Sequence, residues 1–255
     1  MRMEKTKKKN RIITTVGLVF FIGLFLFSGY MFMSEYTDRK QSAEDFEELA
    51  QMVENPAGEE AGEQISAYDR YLPLYEQNND FAAWIRIDGT AIDYPVMYHP
   101  SEVDYYLKRN FDRQQSDYGV PYIKEECKLG ESDNCTIYGH HMKNGTMFSN
   151  LILYEDKPFY DEHKIVHLDT LEGYGQYEIV IVFKTVAYSN AAFNYFDYIN
   201  FDTPEVFDKY ISTCKSLQLY DTGVEAQYGD KLITLSTCEY SKKDGRMVVV
   251  ARKIS

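Results

Sequence analysis

Histidine and cysteine are scarce in this sequence, and it has no glycine-rich phosphate-binding loop. It contains five histidines and four cysteines among 255 residues. His163 and His167 have the spacing of a zinc-binding HExxH helix, but Lys164 stands where that motif requires Glu. Gly173-Tyr174-Gly175 lacks the third glycine of a dinucleotide-binding loop and is typical of a turn. We therefore expect neither a metal site nor a nucleotide cofactor.

Positive charge is also in short supply outside the N-terminus. Lysine and arginine number 27 against 40 aspartates and glutamates, which gives a net charge of -13. Six of the basic residues lie among the first eleven positions, so the rest of the chain is more acidic than the total suggests. Proteins that bind nucleic acids carry a basic surface. We therefore expect no nucleic-acid partner.

Residues 12–33 form a long apolar run without a charged residue. A helix of this length rises about 33 Å, enough to cross a bilayer core of about 30 Å. A cleaved signal peptide is the alternative, but its apolar region is about 7–15 residues long and ends at small residues. This run ends in Tyr30-Met31-Phe32-Met33. Basic residues precede it and acidic residues follow it, which predicts a cytoplasmic N-terminus and an extracellular remainder.

These features divide the sequence into four parts. Residues 1–11 are predicted to be a cytoplasmic basic tail, residues 12–33 a transmembrane anchor, and residues 34–65 a stalk and linker. The proline and glycines of residues 55–62 indicate where the helical stalk gives way to the linker. Residues 66–255 are predicted to be one extracellular domain, which begins with a helix or two short turns over residues 66–79.

From Phe81 onward the sequence pattern is mainly that of β-strands. Asp88-Gly89 is a strong turn signal and predicts a hairpin over residues 84–94. Six further apolar or alternating runs predict strands at residues 120–124, 135–138, 164–168, 177–187, 232–238 and 247–253. Helical patterns occur at residues 146–154 and 203–219. Eight strands joined mostly by loops indicate a closed barrel or a sandwich.

The four cysteines have different sequence environments. An even count in an extracellular domain is compatible with two disulfides, but a domain of this size does not need them. Cys127 and Cys135 are eight residues apart across a predicted loop, so a bridge between them is one interpretation, and burial as small apolar residues is the other. Cys214 lies in a predicted helix and is expected in the core. Cys238 ends a strand beside polar sequence, which makes it the best candidate for a reactive thiol.

Cys238 and Arg246 are predicted to face each other across a hairpin. A fixed positive charge beside a thiol can stabilise a thiolate or an oxyanion, although an incidental cysteine near a surface arginine has the same spacing. Another predicted strand ends in Gly139-His140-His141, and a Cys–His pair is the minimal set for thiol acyl transfer. Papain-type proteases place their Cys before the His and on a helix, whereas here the order is reversed.

Together these segments resemble the class B sortases. The resemblance rests on TLSTC, on the arginine of GRMVVVARK eight residues after the cysteine, and on YGHHMKNGTMFSNL upstream. WIRIDGTAIDYPV, DYYLKRNF and FYDEHKIVHLD also resemble segments of that family, so the likeness extends from Trp84 to the C-terminus. It implies a mainly β fold: an eight-stranded sortase-type β-barrel with N-terminal helices and a helix before the seventh strand, preceded by one transmembrane helix.

The resemblance also implies an activity and its residues. The family consists of cysteine transpeptidases of the Gram-positive cell surface that cleave a sorting motif after Thr and transfer the protein to an amino group of peptidoglycan. Cys238 matches the nucleophile, His140 rather than His141 the general acid and base, and Arg246 the cation that holds substrate or the tetrahedral intermediate. The implied substrate contacts are Tyr138, Ser236, Glu239, Met97, Tyr195 and Phe196.

The expected partners follow from the same resemblance. They are surface proteins with a C-terminal sorting motif of NPQTN, LPXTG or PPXTG type, and a peptidoglycan precursor amine; no cofactor is implied. Two alternatives stay open. One is a sortase that polymerises pilins with a pilin lysine as the nucleophile. The other is a membrane-tethered barrel that binds wall or peptide ligands without catalysis, although an inactive relative would be expected to lack one of the three catalytic groups.

Overall fold

The structure is a computed structural model that describes residues 2–55, 65–187 and 193–255, with side chains from Thr14 onward. Its contacts divide the chain into two units, Met1–Glu44 and Asp45–Ser255. Most of the predicted linker of residues 55–62, and the side chains of the predicted basic tail, lie outside the described residues.

Helix α1, Arg2–Glu54, makes up the first unit and ends within the second. From Thr14 on, it contains a segment with a mean hydropathy of 2.2, none of which is buried. Apolar side chains without protein contacts are stable in lipid rather than in water. The helix is therefore long and apolar enough to cross a membrane, as the sequence of residues 12–33 predicts.

Eight strands form a closed barrel in the second unit. They are β1 Phe81–Arg86, β2 Asp93–Met97, β3 Tyr122–Ile123, β4 Asn134–Tyr138, β5 Ile165–Asp169, β6 Gln176–Val186, β7 Leu232–Glu239 and β8 Gly245–Lys253. Their order around the barrel is β1-β2-β3-β4-β7-β8-β6-β5. The β2–β3 and β4–β7 pairs are parallel and the other pairs are antiparallel. The predicted eight-stranded barrel is confirmed.

Strand β7 is buried on both faces, because one face lines the barrel interior and the other lies under a helix. Ile233 and Leu235 belong to the interior cluster, whereas Leu232 packs in a second cluster with Phe207 and Tyr210. The last two residues belong to α4, Pro204–Leu217, which begins with proline at a position where a helix tolerates it. The predicted helix of residues 203–219 is thus confirmed, and it fixes the outer face of the strand that carries the candidate nucleophile.

The remaining helices are short. α2, Ala67–Gln77, is a single helix capped by the side chain of Ser66, and α3 spans Lys157–Glu162. The predicted helix of residues 146–154 is instead a 3₁₀-helix, Phe148–Glu155. Phe148, Leu151 and Tyr154 are fully buried at a spacing of three, which matches the three residues per turn of a 3₁₀-helix. Two further 3₁₀-helices, Tyr105–Lys108 and Tyr195–Asp197, lie in loops.

All four cysteines are free in the structure. Cys127, Cys135 and Cys214 are buried, whereas Cys238 is partly exposed. Cys127 Sγ donates to the carbonyl of Asn134 at 3.7 Å, and the neighbouring Cys135 lowers the pKa of Cys127, whereas Cys127 and burial together raise the pKa of Cys135. The pair is therefore two buried thiols rather than a bridge.

Candidate active site

A cleft of about 560 Å³ opens where β4 and β7 end and β8 begins. Its lining includes His140, Cys238 and Arg246, which come from three different strand ends. The chain thus brings together the three side chains that the sequence predicts to be catalytic. The rim of the same cleft also carries charged residues: Asp104, Lys124, Glu125, Glu126 and Asp197.

The β7–β8 hairpin sets the position of the thiol relative to the guanidinium. Cys238 pairs with Arg246, and Glu239 pairs with Gly245, as the hairpin predicted from sequence requires. A Cβ at Gly245 would collide with the backbone carbonyl of Glu239, so glycine permits this tight pairing. Arg246 Nη1 donates to the carbonyl of Gly245 at 2.9 Å, which orients the guanidinium beside its own strand.

Parallel pairing of β4 with β7 brings the histidine to the same place. Tyr138 pairs with Ser236, so His140 and Cys238 each lie two residues beyond the last paired position. The connection continues past that pair, because the Gly139 amide donates to the Ser236 carbonyl at 3.2 Å. The two chain ends therefore leave the barrel side by side, and both side chains line the cleft.

His140 is oriented by a backbone carbonyl. Its Nε2 lies 2.7 Å from the carbonyl oxygen of Leu107, in the 3₁₀-helix Tyr105–Lys108. Because a carbonyl only accepts, Nε2 carries the hydrogen, and Nδ1 is the accepting nitrogen of the neutral ring. The sequence does not mark Leu107 as a functional residue, because the contact uses its backbone and not its side chain.

His141 points away from the cleft, as successive residues at a strand end should. Its Nδ1 donates to the backbone carbonyl of Cys238 at 2.9 Å. The Tyr240 ring lies beside it, with 5.0 Å between the ring centroids. The structure thus distinguishes the two neighbouring histidines by position: His140 lines the cleft, and His141 holds the backbone of the thiol-bearing strand.

Three of the predicted substrate contacts lie in the cleft: Tyr138, Ser236 and Phe196. Tyr138 packs against Tyr122, with 5.5 Å between the ring centroids. These aromatic rings give the cleft apolar surface near its polar catalytic groups. An extended peptide that follows the strand ends would meet both kinds of surface.

The other three predicted contacts lie outside the cleft lining. Tyr195 is buried, and its hydroxyl is 2.6 Å from Ser236 Oγ, so it supports the wall from behind. Glu239 turns toward Lys184 and Ser241, because an ion pair and hydrogen bonds satisfy its carboxylate there. Burial opposes its ionisation, but these partners outweigh burial and lower its pKa. Met97 is fully buried in an apolar cluster, since its strand position faces the protein and not the cleft.

A second cleft, of about 550 Å³, lies on the β1–β5 side of the barrel. Its lining is rich in charged side chains, including Arg70, Arg86, Asp93, His167 and Asp169. None of the described residues that line it is a cysteine, so it lacks the nucleophile that the sequence predicts. The thiol-containing cleft is therefore the candidate active site.

Comparison with known proteins supports this assignment. A family model described as the sortase domain matches residues 85–254. Sortase B of Staphylococcus aureus is 29% identical over 252 residues, covering 97% of this chain and 98% of that protein. Sortase B of Listeria monocytogenes is 30% identical over 242 residues, covering 92% of this chain and 94% of that protein.

Solved structures give the same result. A Staphylococcus aureus sortase B–substrate complex has a TM-score of 0.76 and 28% identity, covering 86% of this chain and 99% of that chain. Clostridium perfringens sortase B has a TM-score of 0.65 and 29% identity, covering 72% of this chain and 99% of that chain. The barrel fold is therefore shared with solved sortase B structures.

Proposed function

The chain belongs to the sortase family, whose class B members are cysteine transpeptidases, and we propose how its own residues catalyse the reaction. The observation that supports the proposal is the meeting of Cys238, His140 and Arg246 in one open cleft. Nucleophilic catalysis needs an activated nucleophile, a proton-transfer group and a stabiliser for developing negative charge. The three side chains supply one of each.

In the first step, the Cys238 thiolate attacks the carbonyl carbon of the threonine in a sorting motif. Arg246, held opposite Cys238 by the hairpin, holds the substrate and stabilises the tetrahedral oxyanion. The C–N bond then breaks, and His140 gives the leaving amine the proton that its Nδ1 took from the Cys238 thiol when the thiolate formed. The bond from Nε2–H to the Leu107 carbonyl keeps the ring oriented during this transfer. The product is a thioester of Cys238.

In the second step, an amino group of a peptidoglycan precursor attacks the thioester. His140 Nδ1 takes the proton from the incoming nitrogen, an amide bond forms, and the Cys238 thiolate leaves. Water in place of the amine gives hydrolysis. Cys238 is partly exposed where it lines the cleft, which suits two large substrates that arrive in turn.

The proposed donor is a surface protein with a C-terminal sorting motif of NPQTN, LPXTG or PPXTG type. Tyr138, Ser236 and Phe196 are proposed to contact the motif, because they line the same cleft as the three catalytic groups. A Staphylococcus aureus relative is solved as a sortase B–substrate complex, which supports substrate binding by a protein of this fold. The preferred motif is the one whose peptide is cleaved with the highest kcat/KM.

The membrane arrangement is also a proposal. We place residues 1–11 in the cytoplasm, residues 12–33 in the bilayer, and residues 66–255 outside the cell, with residues 34–65 connecting the last two parts. The exposed apolar segment of α1 and the basic residues before it support this orientation. Protease treatment of intact cells should degrade the barrel and spare the N-terminal tail; protection of the barrel would reverse the orientation.

Cleavage of fluorogenic sorting peptides tests the proposed chemistry. The detergent-solubilised full chain should cleave at least one of the NPQTN, LPXTG and PPXTG peptides. Cys238→Ala should abolish cleavage, and Arg246→Ala should lower kcat/KM by about 10²–10³-fold, as loss of an oxyanion-stabilising group does. Arg86→Ala is the matched control, since Arg86 is a partly exposed arginine that pairs with Asp88 and does not line the active-site cleft. Full cleavage by Cys238→Ala would reject the mechanism.

The accepting amine separates wall anchoring from pilin assembly. The same assay with a peptidoglycan-type amine, and in parallel with a peptide lysine, measures which nucleophile captures the thioester. Preferred transfer to the peptidoglycan amine supports wall anchoring. Preferred transfer to the peptide lysine would identify a pilin-polymerising enzyme instead.

A further inference from the structure

Three hydrogen bonds join the end of β4 to the end of β7 beyond the last paired residues. The Gly139 amide donates to the Ser236 carbonyl at 3.2 Å, and Thr237 Oγ1 donates back to the Gly139 carbonyl at 2.8 Å. The third bond runs from His141 Nδ1 to the Cys238 carbonyl at 2.9 Å. This third bond ends on the peptide unit of the nucleophile itself.

We propose that His141 is a positioning residue for Cys238, an inference that rests on the proposed function. His140 and His141 are consecutive, so one dipeptide directs its first ring into the cleft and its second ring onto the backbone of the thiol. The hydrogen bond from His141 therefore ties the backbone of the candidate nucleophile to the residue that follows the candidate base. A displacement of about 1 Å in such a pair can cost roughly 100-fold in rate.

His141 is itself held from the other side by the β7–β8 hairpin. The Tyr240 hydroxyl donates to the His141 carbonyl at 3.1 Å, and the Tyr240 ring lies beside the imidazole. His141 is not part of the cleft lining, so it acts through Cys238 rather than by touching substrate. Further support comes from the amide of Phe148, which donates to the His140 carbonyl at 2.9 Å and anchors the dipeptide to the 3₁₀-helix beyond it.

Three substitutions of His141 separate positioning from simple packing. Asn places an amide nitrogen where Nδ1 stands, because both nitrogens are bonded to Cγ. Gln moves that nitrogen one bond further out, and Leu removes the donor while keeping much of the volume. We expect His141→Asn to keep kcat within about threefold of the parent. His141→Leu and His141→Gln should lower kcat by about 10–100-fold with little change in KM, because the defect lies in the alignment of the reacting groups and not in peptide binding.

His163 provides a matched control. Its Nδ1 also donates to a backbone carbonyl, that of Phe159, at 2.8 Å, and this contact lies outside the active-site cleft. His163→Leu should lower the melting temperature to a similar extent as His141→Leu and leave kcat unchanged. The measurements are kcat, KM and the melting temperature of each full-length variant.

The outcomes are distinguishable. Unchanged kcat in His141→Leu, or loss of kcat that Asn does not restore, overturns the positioning role while leaving the proposed function intact. If the parent chain cleaves no sorting peptide, the proposed function fails, and the rate of Cys238 alkylation by iodoacetamide decides the inference separately. The alkylation rate should differ by about threefold or more between the parent and His141→Leu, because thiol reactivity depends on local surroundings. His141→Asn should restore the parent rate. Equal rates in the parent and His141→Leu would overturn the positioning role of His141.

Discussion

Asp80 is a residue outside the cleft that bears on the orientation of His140. One oxygen of its carboxylate accepts hydrogen bonds from Tyr106 at 2.8 Å, His99 at 3.1 Å and Arg113 at 3.2 Å. Tyr106 is fully buried and directly precedes Leu107, whose carbonyl holds the His140 ring. The carboxylate therefore stabilises the loop that orients His140, the candidate general acid.

The first prediction concerns this carboxylate and pH. Burial opposes the ionisation of Asp80, but the bonds from Tyr106, Arg113 and His99 outweigh burial and lower its pKa. Because the pKa is lower in the folded than in the unfolded state, the charge of Asp80 stabilises the fold. This stabilisation is complete above the unfolded-state pKa of about 3.9 and is lost as pH falls through the folded-state pKa. Asp80→Asn should therefore lower the free energy of unfolding by about 2 kcal/mol at pH 7 and by much less near pH 3.

Urea unfolding of the full chain at the two pH values measures this difference. Asp117→Asn is the matched control, because Asp117 is an exposed aspartate whose ion pair with Lys108 should contribute less than about 1 kcal/mol. A loss of stability in Asp80→Asn that is equal at both pH values would contradict the role assigned to its charge.

At the scale of elements, the 3₁₀-helix Tyr195–Asp197 forms one wall of the cleft and is attached to β7 by a buried bond. The Tyr195 hydroxyl and Ser236 Oγ are 2.6 Å apart, and Ser236 lies two residues before the nucleophile. Phe196 and Asp197 of the same short helix line the cleft. The position of this wall therefore depends on a buried hydrogen bond at the back of the cleft.

The second prediction is a double-mutant cycle on that contact. Tyr195→Phe and Ser236→Ala should each lower stability by about 1–2 kcal/mol, because each leaves a buried hydroxyl without its partner. The double variant should be less destabilised than the sum of the two. Peptide KM should rise in Tyr195→Phe, since its wall loosens. Thermal unfolding and peptide kinetics measure both effects, and full additivity would show that the two hydroxyls do not interact.

Sequence prediction succeeds for secondary-structure elements that depend on local signals and fails for pairings between distant strands. Residues 232–238 and 247–253 are predictable strands because their apolar runs are local signals, and Asp88-Gly89 is a local turn signal that the structure bears out. The parallel partnership of β4 with β7 is not encoded in any short window, since the strands are about 100 residues apart in sequence. Only the family resemblance indicates that these strands are neighbours, because it implies that His140 and Cys238 act in one site.

Long-range contacts also decide the positions of the site residues that sequence prediction missed or misplaced. The contact of Leu107 uses a backbone carbonyl, so no side-chain pattern reveals it. Met97 is implied only by the family resemblance; it is fully buried in an apolar cluster, and that burial depends on long-range packing. Glu239 is adjacent to Cys238 in sequence, yet its partners Lys184 and Ser241 decide its direction.

For the whole molecule, burial sorts the four thiols into one that solvent can reach and three that it cannot. The relative exposures of Cys127, Cys135 and Cys214 are 0%, 2% and 0%. Cys238 is partly exposed at the cleft. A barrel with this core needs no covalent crosslink, which agrees with the general rule that domains of this size are stable without disulfides.

The third prediction follows from that sorting. Iodoacetamide should modify one thiol in the folded, unreduced chain, Cys238, and all four in urea without prior reduction. Intact-mass spectrometry counts the modifications, and peptide mapping locates them. Cys238→Ala should show none when folded. Only two accessible thiols in urea would reveal a disulfide between Cys127 and Cys135 in the isolated protein.

The parallel pairing of β4 with β7 has a consequence for how activity arises during folding. The strand before His140 and the strand that carries Cys238 can pair only when the long chain segment between them closes into a loop. Such closure carries an entropic cost and is slow compared with the formation of a local hairpin. Newly made chains are therefore expected to acquire transpeptidase activity late in folding. Until β4 and β7 have paired, Cys238 has no His140 beside it.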